Sequence, residues 1–284
     1  MYKLIDGKVL SKQIKDELVE ETQKLKQENI TVTLAVIIVG NDPASRVYVN
    51  NKEKDCAELG IVSKEYALDE NTTQEELLNL IKDLNNDKSI NGILCQLPLP
   101  KHLDERTVIA AIDPNKDVDA FHTENVGKIM IGNFDFLPCT PAGVMEMIDR
   151  NNIEVEGKRC VVIGRSNIVG KPMAMLLLHR NATVTICHSR TVGLAEICKQ
   201  ADILVSAVGR AKFVTPDMVK DGAVVIDVGM NRFDGKLCGD VDFDAVCQKT
   251  SAITPVPGGV GPMTRAVLMK NTVHAAKIQN GVKW

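Results

Sequence analysis

Aromatic residues are scarce in this 284-residue chain, at 4% of positions with one tryptophan, which leaves little surface for stacking nucleic-acid bases. Neither sign of charge dominates: 34 Lys and Arg face 37 Asp and Glu, for a formal net charge of -3. That balance offers no basic footprint for nucleic acid or an anionic membrane. No apolar run nears the roughly 20 residues a membrane span requires. Internal repeats, low-complexity tracts and long charge runs are also missing. The opening Met-Tyr-Lys-Leu-Ile-Asp-Gly-Lys has no basic segment leading into an apolar stretch, so no signal peptide is expected. The eight cysteines (56, 95, 139, 160, 187, 198, 238, 247) contain no Cys-x-x-Cys, and most sit in apolar stretches such as Ile93-Leu94-Cys95. They read as buried small hydrophobes rather than a disulfide frame or a zinc site. With the five histidines equally dispersed, no metal is expected, and the expected compartment is the cytoplasm.

What is present is an ordinary globular composition, 44% hydrophobic and 25% charged, on a chain long enough for two lobes. Short apolar runs at Leu34–Val39, Gly92–Cys95, Arg159–Ile163, Thr183–Cys187, Ile203–Ser206 and Val224–Val228 read as buried strands. Amphipathic stretches lie between them. Asp42-Pro43 supplies an N-cap and a proline at N1, with Gly60 to end that helix. Thr72-Thr73-Gln74-Glu75 has capping-box spacing ahead of Leu77 and Ile81. This alternation predicts an α/β protein with parallel sheets. Breaks at Asp113-Pro114, Gly132-Asn133 and Pro138-Cys139-Thr140-Pro141 divide it into an N-terminal catalytic lobe, 1–120, and a Rossmann-like lobe, 121–262, with a cleft between them. A helix over Ala142–Arg150 connects the lobes, and a last helix from Met263, within 263–284, returns to the first.

Strand Arg159–Ile163 leads into Gly164-Arg-Ser-Asn-Ile-Val-Gly170, which offers bare backbone amides and a helix N-terminus to a pyrophosphate. The spacing departs from Gly-x-Gly-x-x-Gly, because Ser166 stands at the second glycine. An NAD site places a carboxylate at the end of the next strand. Here that strand ends in His188-Ser189-Arg190, and Arg165 lies in the phosphate loop. Cations and hydroxyls there suit a 2′-phosphate, so the cofactor reads as NADP, held by Gly164, Arg165, Ser166, Ser189 and Arg190. Val205–Gly209 and Asp227–Asn231, the latter with Met230, place further residues at strand carboxyl ends. Plain turns and solvated arginines remain the competing reading.

In the first lobe, Ala44, Tyr48, Lys52 and Cys56 recur at i, i+4 along one helix face. A lysine on such a face points inward, and burial lowers a lysine's pKa toward values suited to proton transfer; the alternative is a lysine that snorkels past the core edge. Gln96 follows strand Gly92–Cys95, and Asp119 is the member of the Asp113, Asp117, Asp119 series flanked by small apolar residues. Near the C-terminus, Thr254-Pro-Val-Pro-Gly-Gly-Val-Gly-Pro-Met-Thr264 is stiff where proline stands and open to close approach where glycine does.

In order, Tyr48-Val-Asn-Asn-Lys52, Gln96-Leu-Pro-Leu-Pro100, Asp117-Val-Asp119, Pro138-Cys-Thr-Pro141, Gly164-Arg-Ser-Asn-Ile-Val-Gly-Lys-Pro172 and Pro257-Gly-Gly-Val-Gly-Pro-Met-Thr264 resemble the bifunctional methylenetetrahydrofolate dehydrogenase/methenyltetrahydrofolate cyclohydrolase family. The match covers nearly the whole chain. It implies oxidation of 5,10-methylenetetrahydrofolate by NADP and hydrolysis of the methenyl product to 10-formyltetrahydrofolate, by a homodimer. It further implies Lys52 as general acid/base, Gln96 as its hydrogen-bonding partner, Tyr48 as an ordering residue for the substrate and Asp119 as the pterin anchor. Pro257, Gly258 and Gly259 would form part of the folate wall. Two positions depart from the family pattern: Ala120 stands where glycine is common, and Arg265 where a branched apolar residue is usual. Other readings are an NADP-dependent dehydrogenase of a small hydroxy or oxo acid, a non-catalytic folate- or dinucleotide-binding module, and a single-activity dehydrogenase using NAD.

Overall fold

The computed structural model describes residues 2–282, with the side chain of Ala44 outside the description. In chain order it forms β1 (Lys3–Leu4), α1 (Gly7–Gln27), β2 (Thr33–Val39), α2 (Pro43–Leu59), β3 (Val62–Leu68), α3 (Gln74–Asn86) and β4 (Gly92–Cys95). Helices α4 (Glu105–Ala111), α5 (Thr123–Ile131) and α6 (Cys139–Arg150) follow. Next come β5 (Arg159–Ile163), α7 (Gly170–His179), β6 (Thr183–Cys187), α8 (Leu194–Cys198), β7 (Ile203–Ser206) and β8 (Val224–Asp227). The remaining elements are β9 (Asn231–Phe233), β10 (Lys236–Cys238), α9 (Phe243–Val246), β11 (Ala252–Ile253) and α10 (Val260–Gln279). None of the described helices is long and apolar enough to cross a membrane.

These elements fall into two compact units. One comprises Gln13–Lys128, Phe134–Leu137 and Arg265–Trp284 and is built on a three-stranded parallel sheet, order β3-β2-β4. All seven residues of β2 are buried, as a central strand covered on both faces demands. Against it pack Leu77, Ile81 and Leu84 of α3, spaced i, i+4, i+7 so that one helical stripe faces the sheet. Each such side chain contributes about 1.5–3 kcal/mol on burial.

The other unit comprises Met1–Lys12, Ile129–Asn133 and Pro138–Thr264, on a six-stranded parallel sheet of order β1-β11-β8-β7-β5-β6. The first strand of the chain thus pairs here, beside β11, and not in the sheet that follows it. A separate antiparallel ribbon, β9–β10, turns through Asp234 and Gly235, both at positive φ, the geometry of an Asp-Gly hairpin.

Local signals explain most of the element ends. Asp42 accepts a hydrogen bond from Ser45 N at 2.7 Å, and Gly60 closes α2 at φ 70°. The capping box of α3 is Thr73 with Glu76, one residue beyond the expected Thr72 and Glu75. Thr72 is buried, and its carbonyl accepts from His102 Nε2 at 2.9 Å. Helices α6 and α10 begin at Cys139 and Val260, ahead of the expected Ala142 and Met263. Pro141 and Pro262 sit inside their first turns, where a missing amide donor breaks no intrahelical bond. The final part of the Pro/Gly run is therefore helix rather than loop.

Candidate active site

The three-stranded sheet reverses strand order between β2 and β4, and ligands of open α/β sheets bind at such a switch point, outside the carboxyl ends of the strands. Gln96 stands there, its amide donating to Ile37 O at 2.8 Å. Its Nε2 donates to Leu97 O at 2.7 Å, which turns Oε1 toward α2, and Lys52 Nζ donates to that oxygen at 2.9 Å. An ammonium or amine has donors to offer and the amide oxygen can only accept, so the two bonds fix the orientation of Gln96. Along the same helix face, burial rises from Tyr48, 39% exposed, through half-buried Lys52 to Cys56, fully buried. Burial pushes the Cys56 thiol up to about 12, and its sulfur lies 3.5 Å from Met269 Sδ. Cys56 is core; Lys52, half-buried, stands at the margin of that core.

Beneath Lys52, Asp55 is 3% exposed and meets two cations. Lys15 Nζ donates to its Oδ1, and Arg265 NH1 approaches Oδ2 at 3.1 Å, off hydrogen-bond alignment, while also reaching Asn51 O at 3.5 Å. The charge of Arg265 is thus answered by a buried carboxylate on α2.

The acidic series divides by role. Asp113 accepts from its own turn, at Asn115. Asp117 is 2% exposed and accepts from His122 N at 2.8 Å and Asn125 Nδ2 at 2.9 Å; burial raises its pKa against those hydrogen bonds. Asp119 is half-buried and lines a small pocket with Cys95, Leu97 and Phe121. Its charge, after burial, helps push the Cys95 thiol up to about 12. Two residues that sequence reasoning missed hold this segment. Lys116 Nζ donates to Leu84 O, Asn85 O and Asp87 O at 2.8–2.9 Å, closing the carboxyl end of α3, and burial lowers its pKa. Asn271 Nδ2 donates to Val118 O at 2.8 Å and Leu137 O at 3.0 Å. Neither belongs to a periodic pattern that would single it out. No group of three or more His, Cys, Asp or Glu able to hold a metal occurs among the described residues.

In the six-stranded sheet the switch point lies between β5 and β7. Gly164 turns there at φ 131°, and a Cβ on it would stand 2.5 Å from Ala207 O. One on Gly170 would stand 2.2 Å from Gly164 O. This is a backbone cradle that side chains would fill, as a dinucleotide requires. The amides at the start of α7 are not all bare: Ser166 Oγ accepts from Val169 N at 3.2 Å and Gly170 N at 3.3 Å. Gly164 N donates to Cys187 O at 2.9 Å, so the turn carrying Arg165 and the turn carrying Ser189 and Arg190 start side by side. All three of those side chains are exposed, as is Met230, by 50%. In the Pro/Gly loop, Gly258 has φ 103°. A Cβ on Gly259 would meet Pro255 O at 2.4 Å, and one on Gly7 would meet Gly259 O at 1.8 Å, so the loop lies tight against the start of α1.

A glycine cradle at one switch point and a lysine–amide pair at another define an enzyme of the α/β, dinucleotide-binding class. Residues 5–119 match the family model of the tetrahydrofolate dehydrogenase/cyclohydrolase catalytic domain, and residues 138–280 that family's NAD(P)-binding domain. The bifunctional protein FolD of Acetivibrio thermocellus is 66% identical over 282 residues, covering 99% of each chain. Among solved structures, the bifunctional methylenetetrahydrofolate dehydrogenase/cyclohydrolase of Campylobacter jejuni superposes with a TM-score of 0.96 at 52% identity, over 98% of this chain and 99% of that one. The Trypanosoma brucei enzyme, in complex with NADP cofactor and an inhibitor, gives 0.93 at 39% identity over 98% of each. The chain belongs to the tetrahydrofolate dehydrogenase/cyclohydrolase family.

Proposed function

We propose that this protein oxidises 5,10-methylenetetrahydrofolate to 5,10-methenyltetrahydrofolate with NADP and hydrolyses that product to 10-formyltetrahydrofolate. Family membership across the chain displaces the hydroxy- or oxo-acid reading, and the observation that carries the chemistry is the Lys52–Gln96 hydrogen bond of 2.9 Å. Water adding to the cationic methenyl carbon must lose a proton, and the nitrogen released when the ring opens must gain one. A single amine at the site serves both transfers. Gln96 meets Lys52 with an amide oxygen, so that hydrogen bond aims the amine through a neutral group. Asp119, in the pocket with Cys95 and Leu97, is suited to accept from the donor edge of the pterin, and Tyr48, farther out on α2, to order the substrate.

NADP, when bound, supplies the hydride acceptor. The chain's own part in that step is positional: the Gly164 cradle admits the pyrophosphate, while Arg165, Ser166, Ser189 and Arg190 meet the phosphates and Met230 borders the cofactor. Pro257, Gly258 and Gly259 are assigned to the folate on the family resemblance alone. A homodimer in the cytoplasm is part of the same proposal. Two-fold dimers are the commonest closed assembly, the scattered cysteines suit a reducing compartment, and a light-scattering mass of one chain would remove the dimer.

Lys52→Met tests the chemistry. Methenyltetrahydrofolate decay should slow by about 10²–10⁴-fold, the range for loss of a general acid/base, while NADP binding persists. Hydrolysis at the wild-type rate would make Lys52 structural and send the proton transfers to another group.

A further inference from the structure

Val208, Gly209 and Arg210, which follow β7, direct three consecutive amides at one carboxylate. Asp240, fully buried, accepts from Val208 N at 2.7 Å and Gly209 N at 3.2 Å through Oδ2, and from Arg210 N at 2.9 Å through Oδ1. Ser206 Oγ at 3.3 Å and Asn231 Nδ2 at 2.9 Å complete its partners. A concave row of amides of this kind ordinarily binds an anion from solution; here a side chain of the protein fills it. Asp227, 3% exposed, interlocks from the neighbouring strand end. Its Oδ1 accepts from Gly229 N at 3.0 Å and Asp240 N at 2.9 Å, and its Oδ2 from Val241 N at 2.8 Å.

The fit leaves no room for larger residues. A Cβ on Gly229 would stand 2.1 Å from Asp240 Oδ1, and one on Gly239 would stand 1.8 Å from Asp227 Oδ2. The segment held in this way is the one packed against the cradle, since Ala207 O is what limits Gly164. The same carboxylates hold Gly229 and Asn231, on either side of Met230. Hydrogen-bonded backbone at the carboxyl ends of β7 and β8 is thereby fixed before any ligand arrives, and the amides Asp240 consumes are withdrawn from the ligand's phosphates.

We infer that Asp240 is a positioning residue for the dinucleotide, fixing the 206–210 and 229–231 segments that border it and so setting cofactor affinity without touching the cofactor. This rests on the NADP reading of that sheet edge. Asp240→Asn keeps the shape but turns an NH2 toward amides that need an acceptor, leaving a buried donor unsatisfied.

The test is calorimetric titration of NADP and of NAD into wild type, Asp240→Asn, Asn231→Ala and Arg190→Ala. Methenyltetrahydrofolate hydrolysis, which consumes no NADP, is followed in each preparation as the check on folding. Asp240→Asn should weaken NADP by about tenfold or more, as loss of a buried acceptor implies, and weaken NAD by the same factor, because the loop does not read the 2′-phosphate. Asn231→Ala should weaken both by about threefold, and it decides the matter alone if Asp240→Asn does not fold. Affinities within about 1.5-fold of wild type in Asn231→Ala, together with unchanged affinities in any folded Asp240→Asn, would leave Asp240 with a purely structural role and overturn the inference, while NADP binding by wild type would keep the underlying reading intact. A wild type that binds no NADP would remove both.

Discussion

The two sheets use their carboxyl edges differently. At the three-stranded sheet the edge carries side chains: Lys52 bonded to Gln96, and Asp119 in a small pocket with Cys95 and Leu97. At the six-stranded sheet it is worked by backbone, in glycine turns and amide rows held by Asp227 and Asp240. The buried carboxylates do not divide so cleanly, because Asp117, in the first unit, accepts from a backbone amide and a carboxamide. Asp55, in the first unit, is answered by cations, whereas Asp240 is answered by amides, a hydroxyl and a carboxamide. A hydrolysis in which water must lose a proton and a leaving nitrogen must gain one needs groups that transfer protons, while a cofactor that brings its own reactivity needs shape and orientation. Lys52→Met, described above, is the largest break expected in this division, since it removes the titrating group from the side-chain edge.

The backbone edge carries its own electrostatic burden, and that gives the next largest effect. Burial, with a smaller contribution from the charge of Asp240, raises the pKa of Asp227 from 3.8 to about 7 against the amides that favour its anion. Between about pH 4 and pH 7 the folded protein therefore binds a proton that the unfolded chain has released, so stability falls as pH rises through that window and levels off above it. The swing is on the order of a few kcal/mol. Asp227→Asn loses an acceptor at every pH but carries no titration. Urea midpoints should place the variant furthest below wild type near pH 4, with the gap narrowing toward pH 7.5. A gap constant with pH would mean that Asp227 titrates in its ordinary range and that the amides outweigh burial.

Cofactor choice separates the exposed cations from the buried scaffold. Arg190→Ala should weaken NADP by about tenfold, the scale of one charge-assisted contact to phosphate, and leave NAD within about twofold. Equal losses for both cofactors would take the 2′-phosphate away from Arg190 and give it a general role at the edge. Competition binding with both dinucleotides reads this difference directly.

Much of this architecture was legible in periodicity, and the exceptions have physical causes. Five of the six apolar runs became β2, β4, β5, β7 and β8, buried almost throughout, while Thr183–Cys187 became β6, an edge strand whose β-branched run stood out although only Cys187 in it is buried. Strand β3 escaped because polar and charged residues interrupt it: Val62-Ser-Lys-Glu-Tyr-Ala-Leu68 is half-buried or exposed throughout, and no continuous apolar run marks it. Strands β1 and β11 are two residues each, below the length at which any period shows. The β9–β10 ribbon did carry a signal, Asp234-Gly235, which reads as a hairpin turn. At the site, a helix face pointed to Lys52, a strand end to Gln96 and small apolar neighbours to Asp119, whereas the bond between Lys52 and Gln96 is expected only from the family resemblance, because it joins α2 to the end of β4 across 44 positions. Lys116, Asn271 and Asp240 were missed because a buried polar residue looks in sequence like any surface one, and Asp227 figures there only as part of a strand end. The one trace was glycine: Gly229 and Gly239 flank the carboxylates that exclude a Cβ.

Ala120 offers the finest comparison, since it places a backbone constraint of the kind found at the six-stranded edge beside the side-chain site. It is fully buried and adopts φ 57°, a left-handed conformation that costs an ordinary residue about 1–2 kcal/mol and glycine almost nothing. That geometry accounts for glycine being common at this position. Ala120→Gly removes the strain but gives back about 0.4–1 kcal/mol through the freer unfolded chain and about 0.8 kcal/mol through loss of a buried methyl. These terms nearly cancel, so denaturant midpoints should stay within about 1 kcal/mol of wild type. The KM for folate should hold as well, because Asn271 pins the carbonyl before Asp119 independently of residue 120. A fall of more than about 2 kcal/mol would make the methyl a packing element that outweighs its strain. A raised KM at unchanged stability would show instead that the left-handed turn, and not Asn271, aims Asp119 at the substrate.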